Sequence, residues 1–258
     1  MNLTGYIFAA LAALTAGMIN ALAGGGTLIT FPTLLAIGLS PVSANVTSTS
    51  ALCPGFLGGT LAQRDDLKGQ KKRLWIVIPA AILGGLTGAT LLLQTPEKLF
   101  SNLVPFVILL ASSLLAMQIP LRNWLTRRQE QPIAKPTPEI WLLLPVFLSA
   151  IYGGYFGAGL GVILLAVLGL ILNDTLTRLN ALKQSIAFST NVAAAFLFIF
   201  SGKVVWSVAL VMMVAALLGG SVGGRLAGRV KPASLRWIVV TIGFVVGVIY
   251  LVKTYFIV

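Results

Sequence analysis

Apolar residues run along this chain in ten blocks, five to each half, with short polar punctuation between them. The first-half blocks cover 3–23, 26–39, 45–63, 74–93 and 99–119. Those of the second half cover 140–158, 160–173, 181–200, 204–224 and 236–256. Blocks of this length and polarity are read as hydrophobic helices. The stretch PLRNWLTRRQEQPIAKPTPE at 120–139 is polar and rich in proline, so it is the expected linker. The chain then divides into a first repeat at 1–119, a linker at 120–139 and a second repeat at 140–258. The second block of each half is short. Thr27 to Leu39 is 13 residues, about 20 Å of helix against a hydrocarbon core of about 30 Å. It is a half-helix, a broken element, or one arm of a re-entrant hairpin.

The two halves also repeat in detail. LGGLTGATL at 83–91 returns as LGGSVGGRL at 218–226, an offset of 135 residues. Asn45 and Ser50 have counterparts at that offset in Asn180 and Ser185, PEKL at 96–99 returns as PASL at 232–235, and Gly25 answers to Gly159. Composition agrees with the pattern: 57% of residues are hydrophobic, 9% are charged and mean hydropathy is +0.97. The expected fold class is an all-α polytopic membrane protein, multi-pass in the cell inner membrane. The opening residues lack a basic leader and read as a retained first helix. Cys53 is the single cysteine and histidine is absent, so no disulfide, metal centre or cofactor is expected.

A net charge of +12 raises the question of nucleic acid, but the basic residues lie between hydrophobic spans. Basic loops in such a chain mark the cytoplasmic face. If all ten blocks cross, every Lys and Arg except Lys98, Lys203 and Lys253 falls on that face, 15 of 18. Fusing the first two blocks of each half into one broken span gives eight crossings and 11 against 7. The first arrangement wins, and it makes the two five-block halves inverted in topology. A duplicated, inverted hydrophobic chain is the usual build of a secondary carrier, with its site between the halves.

Candidate chemistry sits at two repeated places. The break between the first and second blocks is glycine-rich in both halves, with Gly24, Gly25 and Gly26 in LAGGGTLITFP and Gly157 and Gly159 in FGAGLGVILLA. Glycine lets the backbone turn sharply and expose N–H groups where a new helix begins, which attracts an anion. The glycine pairs Gly55/Gly59, Gly84/Gly88 and Gly219/Gly223 suit close helix packing instead. The third blocks open with unusual polarity, carrying Asn45, Thr47, Ser48, Thr49 and Ser50 in one copy and Asn180, Lys183, Gln184 and Ser185 in the other. Such groups either face a cavity or bond between helices, with Ser40 and Asp174 as candidate caps. Lys183 reads as a cation balancing an anionic substrate, or as a side chain snorkelling to the headgroups. Asn20 and Asn191 read as structural hydrogen-bonding groups. All six acidic residues lie in loops or at block ends, which points away from cations and proton relays and towards an anionic or neutral substrate. With no histidine, no buried acid and no P-loop, an enzyme is not expected.

The run GMINALAGGGTLITFPTLLAIGLSPVSANVTSTSAL resembles the hallmark of the TauE/SafE family of sulfite exporters, and YGGYFGAGLGVILLAVLGL with LNALKQSIAF is similar to its second copy. The second copy has AGLG at 158–161 where the first has a glycine triplet, and Ala166 where the first has Pro32. The resemblance implies export of sulfite, sulfoacetate or related sulfonates. It carries site roles to Gly24, Gly25, Gly26, Pro32, Asn45 and Thr49, and to Gly157, Gly159, Asn180 and Gln184. Ser50, Lys183 and Ser185 join them from the polarity pattern. The expected partners are a small anion and membrane lipid, without nucleic acid, and the small-residue surfaces add the expectation of a homodimer. An anion channel and a non-transporting subunit of a larger complex remain the alternatives.

Overall fold

The computed structural model describes residues 2–22, 24–129, 138–227, 229 and 233–256. Ten α-helices follow the ten apolar blocks. In the first half they are α1 (Leu3–Leu22), α2 (Thr27–Ala36), α3 (Pro41–Ala62), α4 (Lys71–Gln94) and α5 (Glu97–Gln129). In the second they are α6 (Leu143–Tyr155), α7 (Leu160–Ile171), α8 (Leu176–Phe200), α9 (Trp206–Leu226) and α10 (Ala233–Tyr255). Single 3-10 turns at Arg64–Leu67 and Glu139–Leu142 lead into α4 and α6. No strand occurs among the described residues.

Among the described residues, six helices are long and apolar enough to cross a membrane: α1, α4, α5, α8, α9 and α10. The short second helices are present as expected, at 10 and 12 residues, and α6 is short as well at 13. Helix α3 has the length of a span at 22 residues, but Asn45 and the hydroxyl run that follows it lower its hydropathy. Large apolar side chains such as Leu83, Leu110, Val214 and Ile249 stand exposed on the outer helix faces, where lipid would cover them.

The expected linker is shorter than its polarity suggests. Helix α5 continues through Pro105 and Pro120 to Gln129, so 120–129 is helical, and residues 130–137 lie outside the described residues. The extension is amphipathic: Leu125 is buried against Gly169 of α7, which holds the extra turns in place.

Local chemistry sets the helix starts. Pro41 opens α3 after an extended Ser40 whose side chain makes no cap bond, since proline's fixed φ suits the first helical position. At α8 the cap is Thr175, whose hydroxyl accepts from the Arg178 N–H, and not the expected Asp174. Asp174 is drawn into an ion-pair cluster instead. Arg73, at the start of α4, pairs with Asp174 and, at 3.1 Å, with Glu139. Arg178 joins Asp174 at 2.8 Å and Lys72 reaches Glu139 at 3.7 Å. Burial alone would raise the Asp174 carboxyl, but the hydrogen bonds from Arg73 and Arg178 outweigh it and hold it below the usual aspartate range. A depressed folded value stabilises the protein above the unfolded value of about 3.9 and loses that effect as pH falls further. Thermal unfolding followed in detergent is therefore expected to show a stability loss below about pH 4 that Asp174→Asn removes.

Packing is reciprocal between the halves. Helix α1 lies on α9 as α6 lies on α4; α3 lies on α9 as α8 lies on α4; α3 meets α8, and α5 meets α10. The glycine pairs make these crossings close. A methyl at Gly84 or Gly88 would run into the Phe147 or Ile151 carbonyl of α6, and one at Gly219 or Gly223 into the Leu14 or Met18 carbonyl of α1. Gly55 and Gly220 bring α3 and α9 together in the same way. The packing reading of these pairs holds.

Candidate functional site at the meeting of two helix breaks

The α1–α2 and α6–α7 breaks turn on glycines with left-handed backbone. Gly24 and Gly25 have φ of 88° and 94°, and Gly157 and Gly159 have 78° and 80°, a region closed to most side chains. The two breaks abut: a methyl on Gly24 would lie 2.9 Å from the Cα of Gly161. Both glycine runs thus belong to one central junction. Its N–H groups are not all free. Gly24 donates to the Ile19 carbonyl at 2.9 Å, and Gly26 donates to the Asn20 Oδ1 at 2.7 Å. Asn20 is the structural group expected, and it fixes how α2 leaves α1. At the other break Tyr152 donates its hydroxyl to the Ala158 carbonyl. Nothing in the sequence pattern singled out Tyr152, because its counterpart near the first break is not a tyrosine. Asn20→Ala leaves a buried N–H unpaired and is expected to cost about 1–3 kcal/mol, read from thermal unfolding in detergent.

Each polar third helix serves the break of the opposite half. Asn45 on α3 donates to the carbonyl of Tyr155, the last residue of α6, at 2.8 Å. Asn180 on α8 donates to the Ala21 carbonyl in the last turn of α1 at 3.1 Å, and to Gln63 Oε1 at 2.6 Å. The sequence pairs Asn45 with Asn180, but the structure does not bring them together. Gln63 lies 18 residues beyond Asn45 on α3, a rise of about 27 Å. The two asparagines flank the glycine junction from its two ends.

The first flank, that of Asn180, also holds Lys183 and Gln184. Lys183 is 1% exposed and donates to the Asn20 carbonyl at 3.4 Å. It does not snorkel; its charge sits at the negative end of α1. Gln184 is fully buried beside Gly59, where a methyl would collide with its amide. Neither amide atom of Gln184 has a hydrogen-bond partner, nor does Asn45 Oδ1 on the second flank. Buried polar atoms left unpaired are rare and mark either unplaced water or a ligand position.

The remaining candidates divide. Thr49 is buried on α3, while Ser185 returns its hydroxyl to the Ala181 carbonyl at 3.1 Å within its own helix. Ser50, also unpaired at Oγ, lines a separate apolar cavity of about 260 Å³ with Cys53, Phe196, Trp206 and Met213. It stands apart from the junction. Pro32 lies inside α2, and Asn191 bonds back to Ala187 as a structural group. Sequence reasoning missed Thr30, whose hydroxyl shares a bond of 2.6 Å with that of Ser48 between α2 and α3. No cluster of metal-ligating side chains occurs among the described residues.

A "Probable membrane transporter protein" of Haemophilus influenzae is 29% identical over 229 residues, covering 89% of this chain and 88% of that protein. "Probable membrane transporter protein YfcA" of Escherichia coli K12 is 26% identical over 216 residues, covering 83% and 77%. "Probable membrane transporter protein ORF9" of a Sinorhizobium species is 28% identical over 229 residues, covering 88% and 84%. No solved structure matches the chain. Residues 9–250 match the family described as "Sulfite exporter TauE/SafE". With that match over nearly its whole length, and six helices among the described residues long and apolar enough to cross a membrane, the chain belongs to the TauE/SafE sulfite exporter family and is a multi-pass membrane transporter.

Proposed function

We propose that the chain is a secondary carrier exporting small sulfur-containing anions, such as sulfite, sulfoacetate or related sulfonates, by alternating access at the junction of its two helix breaks. The observation that carries this reading is the fully buried amide of Gln184, whose Nε2 donor has no partner at one flank of that junction. On the other flank Asn45 gives one Nδ2 hydrogen to Tyr155 and has a second to offer a ligand. Amides coordinate an oxyanion without adding fixed charge, and Lys183 supplies one buried cation. The acidic residues among those described (Asp65, Asp66, Glu97, Glu139 and Asp174) lie in loops, 3-10 turns or a first helical turn, so none opposes an anion at the junction. The halves, 1–119 and 140–258, are inverted repeats in this reading. Their exchanged packing supports it, as does the placement of each polar helix start at the other half's break. Rocking of one half against the other would open the junction to each side in turn. Export is favoured by the inside-negative potential, by about 2.3 kcal/mol per charge per 100 mV.

The test is flux of labelled sulfite and sulfoacetate into proteoliposomes. Saturable flux is expected, falling at least about tenfold in Gln184→Ala and in Asn45→Ala, as loss of charge-assisted bonds of about 1.5–3 kcal/mol requires. Saturable flux that neither substitution touches would move the site. Flux of neither anion would remove the sulfur-anion reading, and flux indifferent to imposed voltage would remove the driving force.

A further inference from the structure

The two ends of the bundle are not alike. At the end where α1 finishes and α8 begins, Arg73, Glu139, Asp174 and Arg178 join the start of α4 to the entrances of α6 and α8. Backbone bonds extend the tie across the gap: Arg178 donates to the Lys68 carbonyl at 3.0 Å, and Gln70 donates to the Arg178 carbonyl at 3.2 Å. Arg73 also donates to Gln70 Oε1 at 3.1 Å. The four charged side chains are only 12–31% exposed. Beneath them lie Asn180, Lys183 and Gln184, the last two shut off from solvent.

The opposite end has no such cluster at the equivalent positions. At the repeat offset of 135 residues, Glu139 answers to Thr4, Asp174 to Leu39 and Arg73 to Val208. In place of the cluster there is a cavity of about 680 Å³ lined by Asn2, Thr4, Gly5, Phe8, Thr33, Ala36 and Ile37. Thr4 stands 17 residues before Ala21 on α1, about 25 Å from the Asn180 end. One end is therefore tied by ion pairs, whereas at the other Thr4 borders this cavity and Val208 is fully buried.

We infer that the Arg73–Glu139–Asp174–Arg178 cluster is the gate of the transport path at its basic, cytoplasmic end, shut in this conformation over the buried Lys183 and Gln184. The inference rests on the alternating-access reading. Arg73 of the first half is paired with Glu139 and Asp174 of the second, so movement of one half against the other at this end must break those two pairs, and they re-form when that end closes. A latch of ion pairs suits this task because its parts are stable in water once separated, whereas an apolar seal would expose hydrophobic surface on opening.

The test reads conformation without using any transported anion. In a Cys53→Ser background, Ala181→Cys places a thiol at a fully buried position one residue past Asn180. Labelling by a membrane-impermeant maleimide is followed in inside-out vesicles, which present the cytoplasmic face. Labelling is expected to be slow with the cluster intact and at least about fivefold faster with Asp174→Asn or Glu139→Gln. Labelling from the opposite face should not rise. Because the two variants break different pairs, each serves if the other fails size exclusion. Raising salt on the Ala181→Cys parent from about 0.1 to 1 M gives a third reading, since screening weakens the pairs. Unchanged labelling across these arms overturns the gate even if sulfite flux is saturable. Faster labelling with no flux of sulfite or sulfoacetate keeps the gate and removes the substrate reading.

Discussion

Alanine at Gly219 or Gly88 is expected to remove most folded protein from the membrane. A methyl at Gly219 would overlap the Leu14 carbonyl oxygen of α1, and one at Gly88 the Ile151 carbonyl oxygen of α6. Neither clash ends on a flexible side chain, so relief requires the helices to separate along their length. Between helices in lipid, contact itself supplies the attraction, because tails are as apolar as the side chains they would replace. Separation therefore forfeits the packing it would need to recover. Overpacking in a well-filled core costs about 1–3 kcal/mol, and a clash with backbone belongs at the upper end. Fluorescence-detected size exclusion should show at least a fivefold drop in the monodisperse peak. Leu218→Ala is the control: its neighbour Gly219 faces α1, whereas Leu218 is 58% exposed on the lipid side. Equal recovery of Gly219→Ala and Leu218→Ala would show that α1 and α9 are held apart by more than this contact surface.

What the sequence made legible was what repeats. Ten helices, the glycine breaks and the packing glycines all follow from periodic residue types, and their boundaries fall within a few residues of the apolar blocks. The linker was less legible, because polarity at 120–129 marks an exposed helix face and not a loop when Leu121, Trp124 and Leu125 keep helical spacing. The candidate site was half legible. Asn45 and Asn180 share an offset, and an offset identifies equivalent roles but not proximity. Both hold a helix end, 27 Å or so apart along α3, and each acts on the half that does not contain it. Tyr152 and the Thr30–Ser48 bond have no counterpart pattern to betray them. The charge cluster was hidden for another reason: Arg73 and Asp174 lie 101 residues apart, and only the fold shows that they meet.

Gln184→Met separates a structural amide from a functional one, and the two readings predict opposite signs for stability. A fully buried amide with neither atom bonded costs the fold about 1–3 kcal/mol in lost hydration. Methionine fills nearly the same volume without that cost, and its flexible thioether adapts to irregular space. Gly59 facing the amide leaves on α3 the space that this side chain fills, since a methyl there would collide with it. Thermal unfolding in detergent is therefore expected to shift upward by roughly 2–4 °C, the change that about 1 kcal/mol produces in a chain of this size. Saturable sulfite flux should fall at least tenfold in the same protein, because methionine offers an oxyanion no N–H donor. Stability and function moving in opposite directions is the signature of a polar group retained for a ligand, since a residue kept for packing loses both together. A lower unfolding temperature with lost flux would show that the amide has a structural partner and would return Gln184 to the core. A higher unfolding temperature with flux intact would leave the amide unused and shift the binding role to Asn45 and Lys183.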